Sequence, residues 1–542
     1  MNKRKNSALV LLPLLLAIAT GCGIFIGRYI TSKNLTEKED KMRTILRLIE
    51  SDYVDVINMD SLLEESFPDL LSALDPHSAY IPSEEFQTVN DDLMGKFSGV
   101  GVSFQIINDT VQVIEVIPGG PAEKVGIQPG DRILKADTMS LTGKDISSEY
   151  VFKYLRGEKG SKVELLIHRF GQKNDVVYDV IRGDIPVNSV DVKYMIKDDV
   201  GYVKVTKFSR NTYMEFFNAL NDLRREGATS FIVDLRGNSG GFMDQAIFMA
   251  NEFLPAGRLI VYTKGRKPQN EYFAMSDGTG RFQDFPLVVL TNESSASASE
   301  IFAGAIQDND RGLIIGRRTF GKGLVQNQTQ LPDSSAVRMT VARYYTPSGR
   351  SIQKEYKRGE TGKYDMDIID RFTHGEFYNA DSIKLDKDKV FHTVNGREVY
   401  GGGGIMPDLF IPEDTTGFTS YYRSVANQGL IQKYAYTVAD KYREELQGER
   451  NIEKLNELIP SDDVLLQNFV SYAVENGVPA RWYYISKSRN VILNQLKAMI
   501  ARHVLGYQEF IEILNESDNT VISAIEKLEM GQSPINIENK DE

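Results

Sequence analysis

The feature that most restricts the fold is an alternation of strand and helix patterns that begins near Val200. Apolar runs of strand length recur and each leads into turn or helix signals, at 201–208 ("GYVKVTKF"), 230–235 ("SFIVDL"), 258–263 ("RLIVYT") and 286–291 ("PLVVLT"). Between the first two runs, apolar residues at helical spacing form one face, made of Tyr213, Phe216, Phe217, Leu220 and Leu223. This alternation predicts an α/β fold in which helices cover a mainly parallel sheet that includes all of these runs.

The flanking regions have other periodicities and predict further domains. Residues 95–183 combine short strand-like runs with many turn signals, which is typical of a small β-rich domain. Residues before and after these two regions show helical spacing. The predicted organisation is a cytoplasmic tip with a transmembrane signal anchor (1–28), an N-terminal helical region (29–94), the β-rich domain (95–183), the α/β core (184–415) and a helical C-terminal region of open role (416–542).

The N-terminus carries an export signal. Three cations, Lys3, Arg4 and Lys5, precede an uncharged stretch from Ala8 to Gly27, whose 20 residues match the length of a membrane-spanning helix. The positive-inside rule then places Lys3–Lys5 in the cytoplasm and the rest of the chain outside it, in the periplasm or an equivalent extracytoplasmic space, held by a single pass through the cell membrane. A cleaved signal peptide and a lipidated Cys22 are the alternatives, and both also export the chain.

Composition excludes several functional classes. The net charge of −12 argues against non-specific nucleic-acid binding, which needs a basic face. One cysteine and five scattered histidines offer no zinc-binding pattern, so we expect no metal and no cofactor.

Two loops lie where active sites of open α/β sheets collect, at the carboxyl ends of strands. The first, "DLRGNSGG" at 234–241, has glycines that let backbone N–H groups face a bound oxyanion. It matches no phosphate-binding motif, and a plain turn is its alternative interpretation. The second, "TNESSASASE" at 291–300, places Ser297 where a strand passes into a helix. There Ser297 could be a nucleophile or, with Glu300 three residues later, a helix cap.

A serine nucleophile needs a base, and the nearest candidate is a lysine. The segment "FGKGLVQ" at 320–326 holds Lys322 between two glycines, with Gln326 four residues later. A lysine can accept the proton if burial lowers its pKa. If the segment is a strand, both side chains point to one face, and the Gln326 amide could orient the amine. The alternative for Lys322 is a solvated loop cation, in which case His77 is the next candidate base.

The long segment "SASASEIFAGAIQDNDRGLIIGRRTFGKGLVQ" resembles the C-terminal processing peptidases, or tail-specific proteases, which are exported Ser/Lys endopeptidases. The resemblance covers about 40–415, including "LDPHSAYI", "YYTPSGRSIQ" and "GGIMPDLFIP". It implies a crotonase/ClpP-like α/β peptidase core with an inserted PDZ domain. It also implies Ser297 as nucleophile, Lys322 as base with Gln326 beside it, and the N–H groups of Gly241 and Ala298 as oxyanion donors, with Gly240 as a near rival for Gly241.

The β-rich region resembles a PDZ domain in two segments, "FSGVGVSFQI" and "GGPAEKVGIQPGDRIL". By this resemblance, backbone N–H groups of Val100, Gly101 and Val102 would hold the terminal carboxylate of a peptide that adds as a strand.

These features predict a membrane-anchored serine endopeptidase that recognises the C-terminal tails of protein or peptide substrates and binds no nucleic acid. An oligomer is compatible with the sequence. Two alternatives stay open: a catalytically inactive PDZ-bearing scaffold, and a crotonase-like acyl-CoA enzyme, whose fold has a related oxyanion loop.

Overall fold

The computed structural model describes residues 37–384, 386–443, 445–446 and 451–531. They divide between Leu71 and Ser72 into two compact units. The first unit contains the helical residues 37–52 (α1) and most of α2 (Met59–Ser72). No helix in the described part of the chain is long and apolar enough to cross a bilayer. The anchor predicted at 1–28 and the alternative site at Cys22 lie outside the described residues.

The second unit opens with a short strand and a helix, which lead into the PDZ domain. Its five main strands form an antiparallel sheet in the order β3-β4-β5-β7-β8, which leaves β3 at one edge. The elements are β1 (Ala79–Ile81), α3 (Ser83–Met94), β2 (Lys96–Gly99), β3 (Val102–Ile107), β4 (Thr110–Val116), α4 (Pro121–Val125), β5 (Arg132–Ala136), β6 (Met139–Ser140), α5 (Ser148–Leu155), β7 (Lys162–His168), β8 (Val176–Ile181) and β9 (Gly183–Pro186). The strands β2 and β9 pair separately and join the domain to the rest of the unit.

The peptidase core is built on a six-stranded sheet in the order β10-β11-β12-β15-β16-β21. All neighbours are parallel except β10 and β11. Its first elements are β10 (Val190–Lys197), β11 (Val200–Val205), α6 (Thr212–Glu226), β12 (Ser230–Asp234), α7 (Met243–Asn251), β13 (Leu259–Gly265), β14 (Tyr272–Met275), β15 (Leu287–Thr291), α8 (Ala298–Asp308) and β16 (Leu313–Gly316). Side chains of α6, α7 and α8 form one large apolar core with this sheet, and the predicted α/β class is confirmed.

One strand assignment is wrong. The run "RLIVYT" forms β13, but β13 lies in a second, antiparallel sheet with β14, β1, β17 (Leu324–Gln330) and β18 (Ala336–Tyr345). An apolar run shows that a strand is buried, and it cannot show which sheet the strand joins. The region 355–400, whose pattern is irregular, also contains a helix, α9 (Thr361–Thr373), before β19 (Val390–His392), β20 (Glu398–Tyr400) and β21 (Leu409–Phe410).

The C-terminal region is a helical bundle that also completes the core. Its helices are α10 (Ser420–Asn427), α11 (Leu430–Tyr442), α12 (Ile452–Leu458), α13 (Asp462–Glu475), α14 (Trp482–Val504), α15 (Tyr507–Asn515) and α16 (Asn519–Glu529). Val521 and Ala524 of α16 pack on Tyr202, Ile232 and Leu290, so α16 covers the second face of the parallel sheet. At its other end the bundle meets the PDZ domain, where Tyr436 packs with Ile107 and Ile114.

Candidate active site

Ser297 lies where the chain leaves β15 and enters α8, at the position before the first helical residue. Its backbone adopts φ 55° and ψ −110°, a conformation that side-chain-bearing residues rarely take. Such a conformation costs about 1–3 kcal/mol and persists only where surrounding contacts impose it. Ser297 is half-buried, so part of this residue is open to solvent.

The other serines of this loop have different surroundings. Ser295 and Ser299 are buried, and their hydroxyls donate to the carbonyl oxygens of Leu235 (2.8 Å) and Asn238 (2.9 Å). Ser294 is exposed to solvent. Since both acceptors lie in the "DLRGNSGG" loop, Ser295 and Ser299 tie the two predicted active-site loops together.

Glu300 joins the serine loop to the lysine loop. Its fully buried carboxylate accepts hydrogen bonds from the backbone N–H groups of Ser297 (2.8 Å), Gly321 (2.7 Å) and Lys322 (2.8 Å). The Thr319 hydroxyl is a further donor, at 2.5 Å. Burial raises the pKa of Glu300 from 4.5 to about 7, although these hydrogen bonds act in the opposite direction.

Tyr344 of β18 forms a second bridge between the same two residues. Its buried hydroxyl lies 3.0 Å from the carbonyl oxygen of Ser297 and also bonds the carbonyl oxygen of Lys322. Burial raises the pKa of Tyr344 well above its usual value of 10, with Glu300 adding to the effect. Ser297 and Lys322 are therefore held by two shared partners, one on their N–H groups and one on their carbonyl groups.

The environment of Lys322 favours a neutral amine. Burial and the nearby Arg338 lower the pKa of Lys322 from 10.5, while Glu300 and Asp75 oppose the shift. Lys322 forms no ion pair with a carboxylate within the described residues. Loss of water around the ammonium is thus not compensated by a direct counter-ion.

Hydrogen bonding in the glycine loop distinguishes Gly241 from Gly240 as a candidate oxyanion donor. The N–H of Gly240 donates to the Asn238 side chain at 2.9 Å, so it is engaged. Those of Gly241 and Ala298 donate to no partner in the described parts of the chain. A Cβ on Gly241, at φ +143°, would lie 2.1 Å from the Phe208 carbonyl oxygen, and one on Gly240 would lie 2.7 Å from the Ser297 Cβ. Neither position tolerates a side chain.

Gln326 lies on β17, whereas Lys322 precedes that strand, and the β17–β18 register shifts between Val325 and Gln326. The amide nitrogen of Gln326 donates to the His77 carbonyl oxygen at 2.5 Å. This contact connects the turn at 75–78 to β17.

The surroundings of the His77 imidazole disfavour its protonated form. Burial, reinforced by Lys322, lowers the pKa of His77 from 6.5 to about 4. Its Nε2 lies 2.8 Å from the Tyr364 hydroxyl. Asp75 accepts from the N–H groups of His77 and Ser78 and from the Thr340 hydroxyl, which docks the same turn onto β18.

Sequence reasoning missed the bridging roles of Glu300 and Tyr344. The spacing of Glu300 from Ser297 indicated only a helix cap, although a carboxylate three residues after a proposed nucleophile was a usable signal. Tyr344 gave no local signal, because its contacts lie 22 and 47 residues away along the chain.

The PDZ loop lies at the free edge of its sheet. The Val100 N–H is engaged by the Leu155 carbonyl oxygen (3.2 Å), whereas that of Gly101 has no partner among the described residues. Because the Ile117 N–H donates to Gly101, Val102 and Val116 form the non-hydrogen-bonded kind of pair, which turns the Val102 N–H outward. Of the three predicted donors, Gly101 and Val102 are thus available.

A charge cluster links the oxyanion loop to the C-terminal bundle. The Arg236 guanidinium pairs with buried Asp234 (2.7 Å) and with Asp518 (2.6 Å), which also caps α16 by accepting from the N–H groups of Thr520 and Val521. The bundle therefore contacts the strand end from which the glycine loop departs.

Comparisons with known proteins agree with this architecture. Residues 199–360 match the family described as Peptidase family S41, 112–169 match PDZ domain, and 421–506 match a family of unknown function (DUF8443). The chain is 37% identical over 375 residues to a "Carboxy-terminal-processing protease" of Bartonella bacilliformis, covering 68% of this chain and 83% of that one. It is 34% identical over 337 residues to the "Carboxy-terminal processing protease CtpA" of Bacillus subtilis, covering 62% and 71%. A solved photosystem II D1 C-terminal processing protease aligns at 30% identity with a TM-score of 0.32, covering 57% and 88%.

Proposed function

Because the chain belongs to the carboxy-terminal processing protease family within peptidase family S41, we propose that it is a serine endopeptidase with a Ser297–Lys322 dyad that selects substrates by their C-terminal tails. The observation that carries the dyad is the pair of shared anchors: Glu300 binds the N–H groups of both residues, and Tyr344 binds both carbonyl groups.

In the proposed reaction, the neutral amine of Lys322 accepts the proton of the Ser297 hydroxyl as Ser297 attacks the scissile carbonyl. The lowered pKa of Lys322 supports this role, because a base must be unprotonated at the working pH. The resulting ammonium then protonates the leaving amine. Water, activated by the neutral lysine, hydrolyses the acyl-enzyme and restores Ser297.

The oxyanion formed in both steps would be held by the N–H groups of Gly241 and Ala298. This assignment is supported because neither N–H group has a hydrogen-bond partner among the described residues, whereas the N–H of Gly240 donates to the Asn238 side chain. Preformed donors of this kind need no reorganisation when charge develops on the carbonyl oxygen.

Tail capture would occur at the edge of β3. A substrate tail would add as a strand along this edge, with its carboxylate on the N–H groups of Gly101 and Val102. The edge position of β3 supports this proposal. Phe104 of β3 contacts Phe152 of α5, with 5.1 Å between ring centroids.

We also propose that the catalytic part acts outside the cytoplasm, on the basis of Lys3–Lys5 and the apolar stretch that follows. A fusion of residues 1–40 to alkaline phosphatase, which is active only after export, tests this proposal. An inactive fusion with normal expression would contradict it.

The central experiment incubates the purified protein with an unstructured peptide that ends in apolar residues and a free carboxylate, and identifies products by mass spectrometry. We expect internal cleavage by the wild type and none by Ser297→Ala or Lys322→Ala. If the folded wild type bound the peptide without cleaving it, the scaffold alternative would replace the peptidase.

A further inference from the structure

Three aromatic side chains are stacked across the antiparallel sheet that carries Tyr344. Phe273 of β14 stacks on Tyr262 of β13 with ring centroids 5.3 Å apart, and Tyr262 stacks on Tyr345 of β18 at 5.0 Å. Tyr262 is the direct cross-strand partner of both Phe273 and Tyr345. Stacked cross-strand pairs stabilise a sheet by themselves, so this aromatic row alone requires no ligand.

Two cations lie beside this row. Lys264 and Arg343 are direct cross-strand partners, both exposed. The Lys264 ammonium contacts the row, 5.4 Å from the Tyr262 ring centroid and 5.8 Å from that of Tyr345. Neither cation forms an ion pair with a carboxylate in the described part of the chain. Like charges directly opposite each other destabilise a sheet. An anion bound between them would remove this cost.

The same surface continues into a concave pocket of about 750 Å³, which Arg343 and Tyr345 line. Its two acidic residues are already neutralised, Glu355 by Lys389 (3.2 Å) and Glu360 by Lys363 (2.7 Å). A further lining lysine, Lys354, pairs with Asp367. Lys357 lies near Glu360, whereas Arg343 forms no ion pair with a carboxylate among the described residues. The lining as a whole holds five cations and two carboxylates.

This pocket adjoins the loop that carries Lys322. Its lining residue Gln353 accepts the Gly323 N–H at 2.8 Å, and the N–H of Lys354 donates to the Gly321 carbonyl oxygen at 3.0 Å. A third lining residue, Tyr364, has its hydroxyl 2.8 Å from the Nε2 of His77, which lies near Lys322. The pocket therefore borders the lysine loop, and a polypeptide that extends past Lys322 can reach it.

We propose that this pocket, together with the aromatic row and Lys264 beside it, binds an acidic segment of the substrate polypeptide, next to the segment that is cleaved. The inference rests on the proposed peptidase function and adds a preference for substrate chains with Asp or Glu near the scissile bond. Carboxylates would bind Arg343, Lys264 and Lys357, while the row formed by Phe273, Tyr262 and Tyr345 would contact the aliphatic parts of the segment.

A polypeptide fits this site better than other polyanions. The net charge of −12 over the whole chain opposes long nucleic acids and anionic membranes, both of which present many negative charges. A short acidic peptide presents only a few charges.

Binding is tested with the full-length Ser297→Ala protein, which is not expected to consume the probe. The probe is a fluorescein-labelled peptide with four consecutive glutamates and an amidated C-terminus, which excludes capture by the PDZ loop; its partner peptide has glutamines instead. Anisotropy at low salt should give tighter binding of the glutamate peptide. Lys264→Gln/Arg343→Gln should raise its Kd about tenfold, the effect of losing two exposed charge interactions.

The matched control is Lys193→Gln/Arg225→Gln, which removes two exposed cations that pair with Asp222 on α6. It should leave the Kd within about twofold, since long-range effects of surface charge are screened. Equal Kd values for the two peptides, or equal effects of the two double variants, would overturn the proposal. Preferential competition by single-stranded DNA of the same charge or by phosphatidylglycerol vesicles would also overturn it.

A second readout uses cleavable peptides with identical free tails that differ only in the glutamate or glutamine tract. The ratio of kcat/KM values, glutamate over glutamine, should exceed one in the wild type and fall toward one in Lys264→Gln/Arg343→Gln. A ratio of one in the wild type would contradict the proposed preference. If no peptide were cleaved, the peptidase proposal would fail, while the anisotropy result would still decide whether the pocket binds acidic segments.

Discussion

The nucleophile loop and the PDZ loop are both expected to present backbone N–H groups to a negative oxygen, and they differ in how they are held. Ser297 is fixed by hydrogen bonds to Glu300, three residues later on α8, and to Tyr344 of the distant strand β18. Gly101, at φ +85°, lies beside a free sheet edge, and its carbonyl bonds the N–H of Ile117, which follows β4.

The difference follows from the two tasks. Bond cleavage requires the reacting atoms to be placed within fractions of an ångström, which a loop can provide only if several buried contacts determine its conformation. Capture of a tail requires unpaired backbone groups that a new strand can occupy. The two regions should therefore respond independently to substitution, and the predictions below test that independence.

The largest effect is expected for Ser297→Ala. Cleavage should fall by about 10⁴-fold or more, because the nucleophile is lost, whereas binding of a free-carboxylate tail peptide should stay within about twofold. Product formation by mass spectrometry and peptide binding by calorimetry provide the two readouts. A parallel loss of tail binding would show that the two regions are coupled.

Lys322→Arg should be nearly as inactive as Ser297→Ala, since a guanidinium keeps the charge and cannot act as a base near neutral pH. In the wild type, kcat/KM should rise with pH as the lysine loses its proton, at a pH below its ordinary pKa of 10.5 because burial lowers that pKa. Substantial activity of the arginine variant would assign the proton transfer to another group.

Glu300→Gln should reduce kcat by about 10- to 100-fold, because a neutral amide cannot accept from all four donors and an unsatisfied buried donor costs about 1–3 kcal/mol. The pH-dependent rise in rate should persist if Lys322 is the base. Glu226→Gln, at an exposed site on α6, is the matched control and should behave as wild type.

The raised pKa of Glu300 also leads us to expect that the stability of the folded chain depends on pH. Its folded-state pKa of about 7 lies above the ordinary 4.5, so the folded chain retains a proton that the unfolded chain releases. The contribution of this group to stability is therefore greatest below pH 4.5 and falls as the pH rises toward 7. The difference in Tm between wild type and Glu300→Gln should change over this range, and a constant difference would contradict the burial argument.

Amidation of the substrate tail should act on the PDZ loop alone. We expect KM to rise about tenfold, from the loss of charge-assisted hydrogen bonds, with kcat unchanged at saturation. Steady-state kinetics on paired acid and amide peptides measure both constants. Identical KM values would argue against carboxylate capture at Gly101 and Val102.

The smallest effect is expected for Asp518→Asn in the C-terminal bundle. Asparagine preserves the helix cap, so only the partly exposed pair with Arg236 is lost, at a cost of about 1 kcal/mol or less. Thermal unfolding should show a small decrease in Tm, and kcat/KM should stay within about threefold. A large loss of activity would mean that the bundle controls the oxyanion loop.

Much of the fold could be predicted because its signals are local. Gly227 ends α6 in the left-handed conformation, as its position after a helical pattern indicates, and α7 begins just after Phe242. The strand around Gln326 was harder to place, because the irregular register after Val325 depends on its pairing with β18.

By itself, the sequence determined the alternation of strands and helices from β11 to α8 and the position of Ser297 between β15 and α8, since periodicity and turn signals act within a few residues. Only the tertiary structure decided that β13 joins the antiparallel sheet and that α16 covers the parallel one. It also decided that Glu300 and Tyr344 hold Ser297 and Lys322 together. These outcomes depend on contacts between residues far apart in the chain. Whether a polar or apolar group is buried there depends on both partners, so neither local sequence carries a pattern that predicts the contact.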